Sequence, residues 1–290
     1  MRLAAALVAA AVAAASASVA PLAAASSTPR RSRLLVVYVA GRDHVSQSRV
    51  PIVKHAWAGM QTEMVSWSLR CLFVFGGHHD SSGRGFSYKS DAVCPELSLS
   101  APDAYLDLVH KVKAMIKWVA ANIHTYDYLL KTDVDTLICF SMVTDMLDAV
   151  RHRFGTDESI YLGHIETCSK IQHFALDRFY DPFYMEDILY REDAPCYPPY
   201  MQGLGYVLSR DLVQMLASVA DSLKVYTNED MMVGTWLVGH RVHRGRLVAR
   251  QYNDPNYETT LAECFPLYFN HKVPSFVMAE CTHFNDATGL

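Results

Sequence analysis

The sequence predicts an α/β fold built on a parallel sheet, and three observations predict it. Leu34-Leu35-Val36-Val37-Tyr38-Val39 is a continuous apolar, β-branched run of strand length, the pattern of a strand buried on both faces. Cys71-Leu72-Phe73-Val74-Phe75 repeats that pattern after an intervening helical stretch, so the order is strand, helix, strand. A third apolar run, Tyr128-Leu129-Leu130, ends abruptly in Lys131-Thr132-Asp133-Val134-Asp135.

Each element follows in order. From Leu3 to Ala20 the chain is apolar or small and uncharged, with Arg2 ahead and Pro21 behind, the pattern of a targeting segment. Small-x-small sites at Ala15-Ser16-Ala17 and Ala23-Ala24-Ala25 fit a cleaved signal peptide. A run at the lower edge of bilayer-spanning length fits a retained anchor equally, although Arg30, Arg31 and Arg33 on its far side disfavour the orientation an anchor needs. Either way the domain is expected in the secretory lumen, where cysteines can pair.

Gly41 and Asp43 close the first strand, and a helix is expected from about Ser46 to Met60, its first turn set later by Pro51. Gly76-Gly77 closes the second strand. Residues 78–100 are polar and rich in Gly and Ser, which reads as a surface loop. Ser100-Ala101-Pro102-Asp103 then reads as a capping sequence opening a helix, whose Tyr105, Leu108, Val109, Val112, Met115, Ile116 and Val119 form one apolar stripe. That stripe is packing for the sheet.

At the end of the third run, strand alternation would put Asp133 and Asp135 on one side. Two hard oxygen donors at the carboxyl end of a buried strand suit Mg²⁺ or Mn²⁺, with positions left open for the phosphates of a nucleotide. Thr136 to Phe140 resumes an apolar run, Ser141 to Val150 reads as a helix and Ile160 to Gly163 as a strand. Cys196 to Asp211 carries paired prolines, then Gly203 and Gly205, which allow close approach of a backbone or ligand. Ser209 caps the next helix, and Asn228 caps another with Glu229 and Asp230 in its first turn, where the helix dipole alone favours acids.

Composition excludes other classes. Net charge is −4 and the Lys and Arg are scattered beyond one small N-terminal group, so nucleic-acid binding has no electrostatic footprint. The seven cysteines form no CxxC pair, which argues against a zinc cluster or a thioredoxin-type site.

In this order and spacing the segments resemble the β-1,3-galactosyltransferase family, the inverting glycosyltransferases of family 31 that include the fringe enzymes. The likeness runs from Leu34 to about Pro274. Arg49 to Trp57 is similar to the family's Arg-rich helix ending in Thr-Trp, and Phe73-Val74-Phe75-Gly76 to its strand end. Asp103-Ala104-Tyr105 through Trp118 resembles its next helix. Lys131 to Asp135 is similar to its Lys-x-Asp-Asp-Asp block, Tyr197 to Ser209 to its Tyr-Pro and Gly-x-Gly-Tyr-Val-Leu-Ser block, and Glu229-Asp230-Met231 to its Glu-Asp-Val block.

The resemblance implies a GT-A fold, a Rossmann-like mixed, mostly parallel sheet with helices on both faces. It implies a hexosyltransferase with a UDP-sugar donor (UDP-galactose or UDP-N-acetylglucosamine), a glycan acceptor and Mn²⁺ or Mg²⁺. Residues 1–27 would be the signal peptide or type II signal anchor, 28–33 a short basic linker and 34–290 a catalytic domain in the Golgi lumen. Carried over by residue, Asp133, Asp135 and His271 would hold the metal. Asp133, Arg49, Lys54, Gly203 and Gly205 would contact the donor, and Asp230 would be the catalytic base. Val134 replaces the middle acid, Lys54 stands where Arg is usual and Ala56 precedes Trp57 in place of Thr. Those departures motivate the alternative, a degenerate relative that binds carbohydrate or protein in the lumen.

Overall fold

The structure is a computed structural model and describes residues 31–60, 62–63, 66–77, 85–155, 157–170, 196–251, 268–275 and 278. The expected targeting segment lies outside them. Among the described residues no helix is long and apolar enough to cross a membrane.

The first apolar run forms β1 (Ser32–Val39) and the second forms β2 (Trp67–Phe75), paired in parallel. On the other side of β1 lies β5 (Tyr128–Asp133), also parallel. With β3 (Phe86–Lys89), β4 (Glu96–Leu99), β7 (Ile160–Glu166), β8 (Tyr200–Ser209) and β9 (His243–Arg246) they make a sheet of order β3-β4-β2-β1-β5-β8-β7-β9. Only β3 and β8 run against the others, so the sheet is mixed and mostly parallel.

Helices cover both faces, as the alternating side chains of fully buried strands require. On one face Leu35, Val37, Leu129 and Leu208 pack with α2 (Leu108–Asn122), α4 (Arg210–Val219) and α5 (Glu229–Trp236). On the other, Leu34, Val36, Tyr38 and Leu130 pack with α1 (His44–Gly59) and α3 (Phe140–Phe154). The stripe of α2 is buried from Val109 to Val119, whereas Tyr105 sits in a preceding 3-10 turn and is exposed.

Several local expectations are corrected. Asp43 caps α1 by accepting from Ser46 N–H, which starts the helix at His44 and leaves Pro51 inside it. Asp103 does not cap α2. It accepts from Gly76 N–H and Arg42 N–H and pairs at 2.6 Å with the buried Lys111, tying the ends of β1 and β2 to that helix. Ser209 precedes α4, but its hydroxyl accepts from Ile160 N–H and binds β8 to β7 instead.

The Gly- and Ser-rich stretch is not all loop. β4 pairs with β2 and β3 with β4, Leu97 and Leu99 are buried, and Cys71–Cys94 bridges β2 to the segment before β4. A second disulfide joins Cys168 and Cys196, and Cys139 is unpaired among the described residues.

A small second sheet completes the scaffold. β10 (Ala249–Gln251), β11 (Phe269–His271) and β6 (Leu137–Ile138) lie side by side, with Phe269 opposite Ile138 and Asn270 opposite Leu137. This pairing carries β11 to the carboxyl end of β5.

Candidate active site

β5 ends at Asp133, and Thr136 N–H closes a turn onto the Asp133 carbonyl at 3.2 Å. Asp135 is therefore aimed by that turn, not by strand alternation as its spacing from Asp133 suggests. The turn is what lets the two carboxylates converge. Ligand atoms of Asp133, Asp135 and His271 all lie within 4.8 Å of one another. His271 Nδ1 is 3.4 Å from Asp135 Oδ1 and 3.1 Å from Thr136 Oγ1, while Val273 N–H donates to the Asp135 carbonyl. Val134, between the acids, is buried in the apolar cluster that contains Val143, Leu147 and Phe269.

Charge at this corner is unbalanced. Burial raises the Asp135 carboxyl above the usual carboxylate range, opposed by His271, and Asp133 raises it further. Burial also lowers His271, opposed by Asp135, which favours the neutral imidazole that can serve as a ligand. From α1, Arg49 brings a guanidinium nitrogen to 3.6 Å of Asp135, and its buried Nε has no hydrogen-bond partner among the described residues. Two carboxylates and an imidazole are a donor set for a divalent cation, and the nitrogen inclines it toward Mn²⁺ over Mg²⁺. A buried guanidinium N–H without an acceptor fits an anion such as a phosphate.

Lys131 links this corner to a second one. Its ammonium is fully buried and donates to Asp133 at 3.0 Å, to the Gly203 carbonyl at 2.7 Å and to Glu229 at 3.2 Å, using its three donors. Burial works against the charge, but Asp133 and Glu229 outweigh it and hold Lys131 above the usual lysine range. The Gly203 N–H in turn donates to Asp230 Oδ2 at 2.7 Å, and Met231 N–H donates to Asp230 Oδ1 at 2.8 Å. Burial and the adjacent Glu229 push the Asp230 carboxyl up to about 7 despite those two donors. A carboxyl poised near neutrality can take up a proton in working conditions.

A family model described as galactosyltransferase matches residues 49–248, more than half of the chain. The chain belongs to the galactosyltransferase family. It is 36% identical over 142 residues to UDP-GalNAc:beta-1,3-N-acetylgalactosaminyltransferase 2 of Danio rerio, a match covering 48% of this chain and 26% of that protein. It is 26% identical over 246 residues to Beta-1,3-galactosyltransferase 6 of Mus musculus, covering 82% of this chain and 68% of that protein. The chain thus spans about a quarter of the first relative's length and about two thirds of the second's.

Within the family match, the structure treats the residues expected at the site unequally. Asp133, Asp135, His271 and Arg49 gather at one corner, and Asp230 is joined to them through Gly203 and Lys131. Lys54 does not join them. Its ammonium is held by Asp91 at 2.7 Å and Glu96 at 2.8 Å, so it anchors β4 to α1. Gly205 answers to packing, since an added Cβ would stand 2.7 Å from the Phe269 ring, whereas one at Gly203 would meet only Asp230 and Glu229, at 3.4 Å. Lys131, Glu229 and Tyr206 join the site without having been expected there as functional residues. The available signal was a lysine two residues before Asp133, on the same side of a buried strand.

Proposed function

We propose that the chain is an inverting, metal-dependent hexosyltransferase that moves a sugar from a UDP-hexose to a glycan hydroxyl with a β-1,3 linkage. The observation that carries the reading is the continuous path of contacts from the Asp133, Asp135 and His271 corner through Lys131 and Gly203 to Asp230. Family membership and the names of the relatives, which transfer galactose or N-acetylgalactosamine, support a galactose-type donor; UDP-N-acetylglucosamine remains in the test panel.

In this reading Asp133, Asp135 and His271 hold Mn²⁺, which when bound offsets the charge of the departing diphosphate. Arg49 presents its unpaired N–H to a phosphate oxygen. Asp230 accepts the proton of the acceptor hydroxyl as that oxygen bonds the anomeric carbon and the bond to UDP breaks. One displacement inverts an α-linked donor to a β-linked product, and a single base suffices, unlike the paired carboxylates of double displacement. The apolar Leu3 to Ala20 segment, as signal or type II anchor, supports delivery of residues 34–290 to the Golgi lumen. Val134 faces the apolar cluster, so its replacement of an acid removes no ligand from the three that gather.

The test is a panel of UDP-sugars with and without Mn²⁺, with the product's anomeric configuration read by NMR. Transfer with inversion from one galactose-type donor is the expected outcome. Retention, or no donor turnover in any arm, sinks the reading.

A further inference from the structure

Glu229 is a buried carboxylate that the proposed chemistry does not use. It is 4% exposed, accepts from the Tyr206 hydroxyl at 2.6 Å and faces Lys131 at 3.2 Å. Tyr206 and Lys131 are themselves fully buried. Burying a carboxylate next to Asp230, on a lysine it shares with Asp133, is costly, and replacing such pairs with apolar groups often stabilises a fold. Packing alone therefore gives no reason for its presence.

Connectivity does. Lys131 grips the Gly203 carbonyl, the Gly203 N–H grips Asp230, and Glu229 is the residue before Asp230 on the first turn of α5. The two ends of that loop of contacts meet on adjacent residues, so the placement of Glu229 fixes where the Asp230 carboxylate stands.

We propose that Glu229 is a positioning residue which, clamped by Tyr206 and Lys131, fixes the Asp230 carboxylate against Gly203 and ties it to Asp133. This deepens the reading above and rests on Asp230 being the base. The charged and titratable groups facing Asp230 are Glu229 on its own helix, Lys131 on β5, Tyr200 and Tyr206 on β8 and Tyr161 on β7. All three phenols are raised by burial and stay neutral, so Glu229 is the one nearby anion and Lys131 the one nearby cation among these groups. The negative charge of Glu229 makes Asp230 a stronger base.

The experiment compares Glu229→Gln, which keeps the shape and an acceptor for Tyr206 but removes the charge, with wild type and Asp230→Asn. The pH profile of kcat/KM for transfer and the KM for donor are read in saturating Mn²⁺. In Glu229→Gln the acid limb should move to lower pH by about one unit, the scale of one neighbouring charge in a poorly solvated site, with donor KM within about twofold. A limb at the wild-type pH overturns the proposal, because a merely structural residue would scale the curve without moving it. If Glu229→Gln does not fold, Tyr206→Phe carries the test. Loss of one side of the clamp should cut kcat about fivefold or more with donor KM unchanged, and wild-type kcat there also overturns it. Normal turnover in Asp230→Asn refutes the underlying base assignment instead, so the two failures are separable.

Discussion

The Asp135 carboxylate lies 3.4 Å from Nδ1 of His271, which joins the turn after β5 to the short strand β11. Neither residue is held there by its own element alone. The turn aims Asp135, and the pairing of β11 with β6 delivers His271 beside Thr136.

If His271 completes the ligand set, His271→Ala should weaken Mn²⁺ binding in the presence of UDP by about tenfold or more. Free Mn²⁺ measured by its paramagnetic resonance signal checks this. Unchanged affinity takes His271 out of the metal site, while the fold should survive because β11 is only three residues long.

Asp230 makes two opposed pH predictions. Its carboxyl is raised from 3.8 to about 7 by burial and Glu229, so between those values the folded state holds more protons than the unfolded chain. The contribution of this carboxyl to stability should therefore fall as pH rises from about 4 to about 7, while kcat/KM should rise through about 7 as the base ionises. In thermal melts of the metal-free protein the Asp230 carboxyl adds a downward slope across this range, against the upward one from the lowered His164 and His271. Asp230→Asn should remove that downward contribution and lower transfer by at least about a hundredfold. An equal slope in the two proteins contradicts the raised proton affinity.

Lys131→Met should be severely destabilising. The substitution leaves Asp133 and Glu229 without their shared cation, and breaking a buried pair costs about 3–5 kcal/mol. Urea unfolding at an unchanged m-value gives the number. A loss below about 1 kcal/mol would mean that the buried ammonium is not the electrostatic keystone of this corner.

What was legible in the sequence follows from which forces are local. β1, β2 and β5 are continuous apolar runs because parallel strands are buried on both faces, and α2 carries its stripe because it lies on the sheet. β3 and β4 were hidden, since a short edge strand needs few apolar residues and Leu97 and Leu99 alternate inside a Gly- and Ser-rich stretch. The acids of the site were visible as motifs. Their assembly was not, because the contacts of Lys131 with Gly203 and Glu229 span widely separated parts of the chain and leave no periodic trace.

Lys54 tests the reassignment of an expected donor-binding residue. With its ammonium held by Asp91 and Glu96, Lys54→Met should leave the donor KM within about twofold while lowering stability only modestly, since both carboxylates keep contact with solvent. Steady-state kinetics beside denaturant unfolding separates the two effects. A large rise in donor KM with normal stability restores Lys54 to the nucleotide.

The two glycines of β8 should part ways in the same manner. An alanine Cβ at Gly205 would be driven into the Phe269 ring at 2.7 Å, and Phe269 is fully buried between β11 and the sheet. Overpacking of this kind costs about 1–3 kcal/mol, so Gly205→Ala should lower the unfolding midpoint. Because Phe269 precedes His271 by two residues on β11, the same shift should also weaken Mn²⁺ binding. At Gly203 the added Cβ meets Asp230 and Glu229 at 3.4 Å, an ordinary contact, and the Gly203 φ is not in the left-handed region that favours glycine. Gly203→Ala should therefore fold with near-native stability and instead lower kcat, since the methyl group lies beside the carboxylate that takes the proton. Equal effects of the two substitutions on melting temperature and on turnover would show that β8 does not divide its glycines between packing and the site.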